Sequence, residues 1–261
     1  MSFLNPATLS PRLGIDLSAL LRLRNHASGI TEPNTAWAVR VAESAGADTL
    51  ILSLSAGDHV HQRADVDAVI GAVTTSQLDV TLNAEMIDLV SRLRPTAVCF
   101  HHTGTDPKNP GHPVDQNGLL SLMQRAVVQL QALSIHVIVS IGLNDTPLHL
   151  LRDAGVPTVE FDCRCVTQSG PADESTALQT LDSAILGAKQ LGMAVHLAHG
   201  IDYRHVEQLA RLGDVAQINI GYAIVARSLA VGWQAAINEM KARLVTRYTP
   251  TRYSIDAGAF Q

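Results

Sequence analysis

Lysine is scarce in this chain. Of 261 residues only Lys108, Lys189 and Lys241 are lysines. Lys189 and Lys241 fall in helix-like segments and Lys108 in the loop Thr105–Pro113, so none ends a strand-like run. A Schiff-base enzyme needs a desolvated lysine amine, and the sequence argues against that chemistry. Cysteine is scarce too. Cys99, Cys163 and Cys165 cannot make a disulfide framework, which fits a reducing compartment. There is no large charge of one sign. The net charge of −5 and pI of about 6.1 suggest neither nucleic acid nor an anionic membrane surface as a partner. No apolar run reaches the roughly 20 residues of a membrane span. The opening MSFLNPATLS has neither the basic region nor the apolar stretch of a signal peptide. A cytoplasmic location is therefore expected.

What the chain does have is rhythm. Hydrophobic residues make up 46% of it, enough for one large core. Eight short apolar runs recur: Leu13–Leu17, Thr49–Leu54, Leu78–Leu82, Ala97–His102, His136–Ile141, Thr158–Cys163, Ala194–His199 and Val215–Gly221. Helix-like segments separate them. In Asn34–Ala45, Trp37, Val41 and Ala45 recur at spacings of four, with Gly46 as the cap. Ala84–Arg92 stops before Pro95, Leu119–Leu133 carries a broad apolar stripe, and Asp145-Thr-Pro147 starts the next helix. Ser175–Leu191, Tyr203–Leu212 and Ala223–Leu244 complete the series. Eightfold strand–helix alternation predicts a single (β/α)8 TIM barrel, and the length is close to the roughly 250 residues typical of one. No linker divides the chain, so residues 1–261 read as one domain with 245–261 as a C-terminal tail.

In such barrels the chemistry sits at the C-terminal ends of the strands. Polar residues gather there: Asp16 and Ser18, Ser53 and Ser55, Asp79 and Asn83, His101 and His102, Glu160 and Asp162, His196 and His199, Gln217 and Asn219. Buried polar groups are costly without partners, so their presence is informative. Glu160 and Asp162 share a parity, and both face inward if their strand is regular. They suit acid–base work, cation binding, or, for one of them, pairing with Arg164. Only one of His101 and His102 can face the lumen. His102 with His196, Asp162 or Asp79 offers ligands for zinc or iron, but the spacing matches no established ligand motif. The sequence assigns no metal and no cofactor. Cys163-Arg-Cys165 reads as a thiolate nucleophile or as small buried residues. Trp37 and Trp233 read as core.

Several segments together resemble the pyridoxine 5′-phosphate synthase family. Leu13-Gly-Ile-Asp-Leu-Ser-Ala-Leu-Leu-Arg-Leu-Arg-Asn25 resembles its LGVNIDHxATLRN opening, and Ala42-Glu-Ser-Ala-Gly-Ala-Asp48 its AExAGADGIT segment. Leu197-Ala-His-Gly-Ile-Asp-Tyr203 is similar to AGHGLxY, and Gln217-Ile-Asn-Ile-Gly-Tyr-Ala-Ile-Val-Ala-Arg227 to LNIGHAIIxRA. The pieces keep their order from residue 13 to about residue 245. The family is a (β/α)8 barrel, usually octameric. It condenses deoxyxylulose phosphate with 3-amino-1-hydroxyacetone phosphate. The resemblance implies a homo-oligomer here, with His199 as proton donor followed by Gly200, and Glu160 as the strand-six glutamate. It implies Arg24 and Gly221 as anion ligands, with Tyr222 in place of the family's phosphate-binding histidine.

The departures cluster. Ser53 stands where the family has its catalytic base, and Ser55 where it has an arginine for deoxyxylulose phosphate. Ser18-Ala19 replaces an Asp-His pair, Asp16 an asparagine, and Asp79 the catalytic glutamate. A serine cannot replace histidine as a base near neutrality. The expected function is a diverged relative acting on a small, phosphorylated amino or carbonyl substrate by condensation, dehydration or proton transfer. His199, Glu160 and Asp79 are its expected catalytic residues. Asp16, Ser18, Arg24, Ser53, Ser55, His102, Asp162, Gly200, Asn219, Gly221 and Tyr222 are its expected substrate ligands. An authentic synthase, a metal-dependent lyase or hydrolase, and a non-catalytic ligand-binding paralogue stay open as alternatives.

Overall fold

The computed structural model describes residues 10–26, 30–54, 63–101, 105–106, 109–113, 116–143, 147–170 and 173–244. Ten strands are present among them. These are β1 (Arg12–Asp16), β2 (Thr49–Leu54), β3 (Thr75–Thr81), β4 (Ala97–His101), β5 (Thr105–Asp106), β6 (Asn109–Pro113), β7 (His136–Ile141), β8 (Thr158–Asp162), β9 (Ala194–Ala198) and β10 (Val215–Ile220). Eight of them close a parallel barrel in the order β1-β2-β3-β4-β7-β8-β9-β10, with β10 returning to β1. The remaining two, β5 and β6, form an antiparallel hairpin, where the sequence suggested an unstructured loop. The chain is a single (β/α)8 TIM barrel.

The strands alternate more sharply than their apolar composition suggests. One set of side chains, including Leu13, Leu50, Leu78, Phe100, Val137, Val159, Leu197 and Ile218, is fully or almost fully buried in the main core. These lie between sheet and helices. The other set faces the lumen, as contacts that skip a strand show. Thr49 on β2 donates to Gln217 on β10 at 2.8 Å, and Asn219 on β10 donates to Glu160 on β8 at 2.7 Å. Only inward side chains can meet across an intervening strand. Large branched residues usually fill such lumens. Here a small apolar cluster of Ala97, Cys99 and Ile138 shares the space with Arg12, Thr49, Gln77, Asp79, Glu160, His196, Gln217 and Asn219.

Local chemistry sets the helix boundaries. Asn34 caps the helix Thr35–Ser44 by accepting from the Trp37 amide at 3.1 Å. Gly46 follows that helix with φ +94°, where glycine avoids the Cβ penalty. Asn83 caps Ala84–Leu93 through the Met86 amide at 2.8 Å, so this strand-end residue serves the fold. The single helix expected over Ala223–Leu244 is two, Tyr222–Val231 and Trp233–Leu244, parted at Gly232 with φ +87°. Trp233 is core, and its indole N–H donates to the Ala38 carbonyl at 3.1 Å. Trp37 is 42% exposed, contrary to its helical pattern. The residues 245–261, expected as a tail, lie outside the described residues.

Candidate active site

The barrel's C-terminal mouth gathers side chains from six strands. Asp16 ends β1, Asp79 lies near the end of β3, His101 ends β4, Glu160 lies on β8, His199 follows β9, and Asn219 lies on β10. Glu160 is the deepest, only 1% exposed. Asn219 donates to its Oε2 at 2.7 Å, while Oε1 faces the Cys99 thiol at 3.6 Å and His199 Nε2 at 3.9 Å. His101 Nε2 lies 3.4 Å from Asp79 Oδ2. The His101 and His199 rings stand 5.7 Å apart, tilted by 56°.

The positions are held from below. Gln217 donates to Asn219 Oδ1 at 2.8 Å and accepts from Thr49. Gln77 donates to Asp79 Oδ1 at 2.8 Å. Deeper still, Arg12 donates to Thr75 at 2.8 Å and Thr49 at 3.3 Å. Locked amides of this kind fix the carboxylates to a single geometry. Gly14 leaves the room. A Cβ there would meet Asn219 Oδ1 at 1.9 Å.

Charge is concentrated in this space. Burial raises the Asp16 carboxyl above its ordinary pKa, and the charge of Asp79 adds to the effect. Burial and Asp79 likewise raise Glu160, against the lowering influence of His101, His199 and Asn219. Burial opposes a charge on His101, but its hydrogen bond to Asp79 and the surrounding carboxylates win, and its pKa rises to about 9. The mouth therefore joins a charged imidazole to carboxyls that hold protons more readily than usual. Such divergent environments are what acid–base sites require.

The expected site residues divide into groups. Asp79, Glu160, His199, Asp16 and Asn219 come together as expected. Gly221 caps the helix Tyr222–Val231 and packs on Asp16, where a Cβ would meet Asp16 atoms at 3.1 Å. His199 and Gly200 both take left-handed backbone, φ +64° and +71°. A Cβ on Gly200 would meet Thr167 Oγ1 at 2.3 Å. Tyr222 is exposed at the rim, 3.5 Å from Arg22 Nη1.

Others have different employment. Arg24, expected to hold an anion, is buried against Asp65. Its Nη1 and Nη2 donate to the carboxylate at 3.0 and 2.7 Å, and Nη1 also donates to Thr35 at 3.1 Å. Ser18 is buried and accepts from the Ser53 amide at 2.8 Å, while its own amide donates to Asp16 at 2.8 Å. The Ser18 hydroxyl thus ties the segment after β1 to the backbone of β2. Asp162 pairs with Arg164, which donates to it through Nε at 2.8 Å and through its backbone amide at 2.9 Å. Burial would raise this carboxyl, but the Arg164 hydrogen bonds prevail and its pKa is lowered. Ser55 and His102 lie outside the described residues.

His101 reaches the cluster, while the His102 favoured from the sequence lies outside the described residues. A signal for this existed. Val98 and Phe100 are large and apolar and belong on the helix side, so alternation puts Ala97, Cys99 and His101 in the lumen.

Solved structures share the architecture. The chain is similar to a tryptophan synthase from M. tuberculosis, with a TM-score of 0.61 and 14% identity over 90% of this chain and 93% of that one. It is similar to a phosphoribosylanthranilate isomerase from Thermotoga maritima, with a TM-score of 0.56 and 12% identity over 90% and 98%. For an N-(5′-phosphoribosyl)anthranilate isomerase from Pyrococcus furiosus the values are 0.54 and 11%, over 90% and 98%. At these identities the likeness is one of fold. The family described as "Pyridoxal phosphate biosynthesis protein PdxJ" matches residues 13–246, nearly the whole chain and all eight barrel strands but for the first residue of β1. This chain therefore belongs to the PdxJ family.

Proposed function

We propose that this pyridoxine phosphate synthase-like enzyme acts on a small, phosphorylated amino or carbonyl substrate, by condensation, dehydration or proton transfer. The observation that carries this reading is the cluster of half-buried Asp16 with buried Asp79 and Glu160, set against His101 and His199 at the barrel mouth. His199 sits 38% exposed on left-handed backbone, where it meets a substrate oxygen and supplies an electrophile to it. Glu160 and Asp79 stabilise positive charge or take up protons beneath it. Asp16 orients an amine, and the backbone around Gly200 and Gly221 receives an anion. Ser53 supplies no base, so the reaction differs from the family's condensation at the deoxyxylulose phosphate side. His101, placed next to Asp79, occupies the neighbouring position in its stead.

The test is an end-point assay by mass spectrometry with 3-amino-1-hydroxyacetone phosphate and a panel of phosphorylated ketoses and aldehydes, deoxyxylulose phosphate among them. A condensed or dehydrated product from a partner other than deoxyxylulose phosphate, abolished by His199→Ala, is the expected result. Pyridoxine phosphate formed at a catalytic rate would show that the ancestral reaction survives. No turnover and no binding of any member of the panel would sink the reading.

A further inference from the structure

His101 ends β4, Glu160 lies on β8 and His199 directly follows β9. Each offers one ligand atom, and these atoms all lie within 4.8 Å of one another. Metal bonds of about 2.0–2.1 Å place tetrahedral ligands about 3.3 Å apart. The His199 Nε2 to Glu160 Oε1 distance is already 3.9 Å. Closing the set takes small rotations of two imidazoles that are 30% and 38% exposed. The carboxylate need not move.

A second observation comes from the groups around these three. Asn219 holds Glu160 Oε2 at 2.7 Å and leaves Oε1 turned to His199. Asn219 is itself held by Gln217, and Gln217 by Thr49. Asp79 borders the His101 ring at 3.4 Å and is fixed in turn by Gln77 at 2.8 Å. A carboxylate behind a histidine, itself hydrogen-bonded, is the support that metal-binding histidines regularly have. The charge balance agrees. Arg24 is committed to Asp65 and Arg164 to Asp162, while Arg22 stands at the rim beside Tyr222. Asp16, Asp79 and Glu160 thus share this end of the lumen with the His101 and His199 imidazoles, while Arg12 lies deeper, held by Thr75 and Thr49.

We propose that His101, Glu160 and His199 bind one divalent transition-metal ion of the zinc or iron(II) class. Two histidines and one carboxylate suit these ions. Three protein ligands with an open side toward the mouth leave a position for a substrate oxygen. The ion then polarises that oxygen as a Lewis acid. The role of the ion rests on the proposed carbonyl chemistry; its binding does not. In the loaded protein the ion supplies the electrophile that a proton on His199 supplies without it, and Asp79 remains to orient His101.

The experiment uses the full chain, stripped with chelator and titrated with Zn²⁺ against a competing chromophoric chelator, with bound metal counted by mass spectrometry. One ion per chain is expected. His101→Ala and His199→Ala should each weaken binding by more than about 100-fold, and Asp79→Asn by about 10–100-fold. Circular dichroism and urea midpoints of the stripped variants show whether they are folded, and His101→Asn serves as a second variant if His101→Ala is not. Co²⁺ in place of Zn²⁺ gives visible bands that must vanish in the same variants. Absent stoichiometric binding, or binding that all three variants leave unchanged, overturns the site. Binding without turnover keeps the metal and sinks the proposed reaction. Turnover untouched by chelation, with no binding, does the reverse.

Discussion

Replacing Arg24 separates two roles for this residue. The resemblance makes it an anion ligand, whereas the structure makes it half of a buried ion pair. Its side chain is 7% exposed and that of Asp65 5%. Two hydrogen bonds join the guanidinium to the carboxylate, a third goes to Thr35, and Thr35 itself donates to Asp65 in a short contact. Breaking a buried pair from one side costs about 3–5 kcal/mol. Arg24→Ala should therefore lower unfolding stability by about that much, read as a shift in urea midpoint at constant slope. Arg24→Met combined with Asp65→Leu should regain most of the loss, since an apolar pair of similar volume replaces both charges. Affinity for inorganic phosphate or a phosphorylated ligand should change by less than about threefold in any variant that stays folded, because a residue that touches no ligand leaves binding within about 0.7 kcal/mol. Stability held within about 0.5 kcal/mol, the range of a surface substitution, together with a large loss of phosphate affinity would refute the structural role.

Burial, helped by His136 and Arg12, lowers His196 to about 3. The unfolded imidazole titrates near 6.5, so between these values the unfolded chain binds the extra proton. His196 should cost up to about 1.4 kcal/mol of stability per pH unit as pH falls through that window. Urea midpoints at pH 7, 5 and 4 should fall less steeply for His196→Asn than for the parent, and equal slopes would contradict this. Gly14→Ala should push the Asn219 carboxamide off its place, because the new Cβ meets Asn219 Oδ1 at 1.9 Å. Such overpacking costs about 1–3 kcal/mol, and turnover should fall with it; a thermal midpoint and rate like the parent's would disprove the close approach. Cys165 is exposed while Cys99 and Cys163 are buried, and burial also raises the thiol pKa of both. An aromatic disulfide reagent should titrate one thiol per native chain and three in urea, and two fast thiols in the native state would refute that burial.

The barrel could be read from the sequence because each strand is short, apolar and bounded, a local property. Where two distant segments decide the outcome, the sequence was silent. Arg24 meets Asp65 across 41 residues and Glu160 meets Asn219 across 59, so neither pairing leaves a trace in spacing. Asp79, Glu160 and His199 drew attention as charged or polar groups ending apolar runs, and the family resemblance supplied their expected roles. Ser18 met the same criterion for another reason, since its hydroxyl satisfies the Ser53 amide near the end of β2. Periodicity could not divide Ala223–Leu244, because Gly232 breaks the helix through its own left-handed backbone without disturbing the apolar stripe. It also put Trp37 in the core. A spacing of four places residues on one face, but only packing decides how far that face is covered.

One carboxylate links the chain to its family and separates it too. Asp79 lies on β3 between β2 and β4, paired in register with Ser53 on one side and Cys99 on the other. Ser53 takes the family's base position, while His101, one inward position beyond Cys99, stands against Asp79. The imidazole partner of the strand-three carboxylate thus lies on its other flank, displaced by two strand spacings, or about 10 Å along the wall. Glu160 lies on β8, two strands from β4 but four from β2 around the closed wall, so His101 is brought nearer to it than a group on β2 would be, and the rings of His101 and His199 come within 5.7 Å. Under the proposed function, a substrate held between those two rings presents its reacting atom over the β4-β7-β8-β9 arc of the mouth. Under that proposal the placement accounts together for the departures at Ser53 and Ser55 and for the retained resemblance at Glu160 and His199.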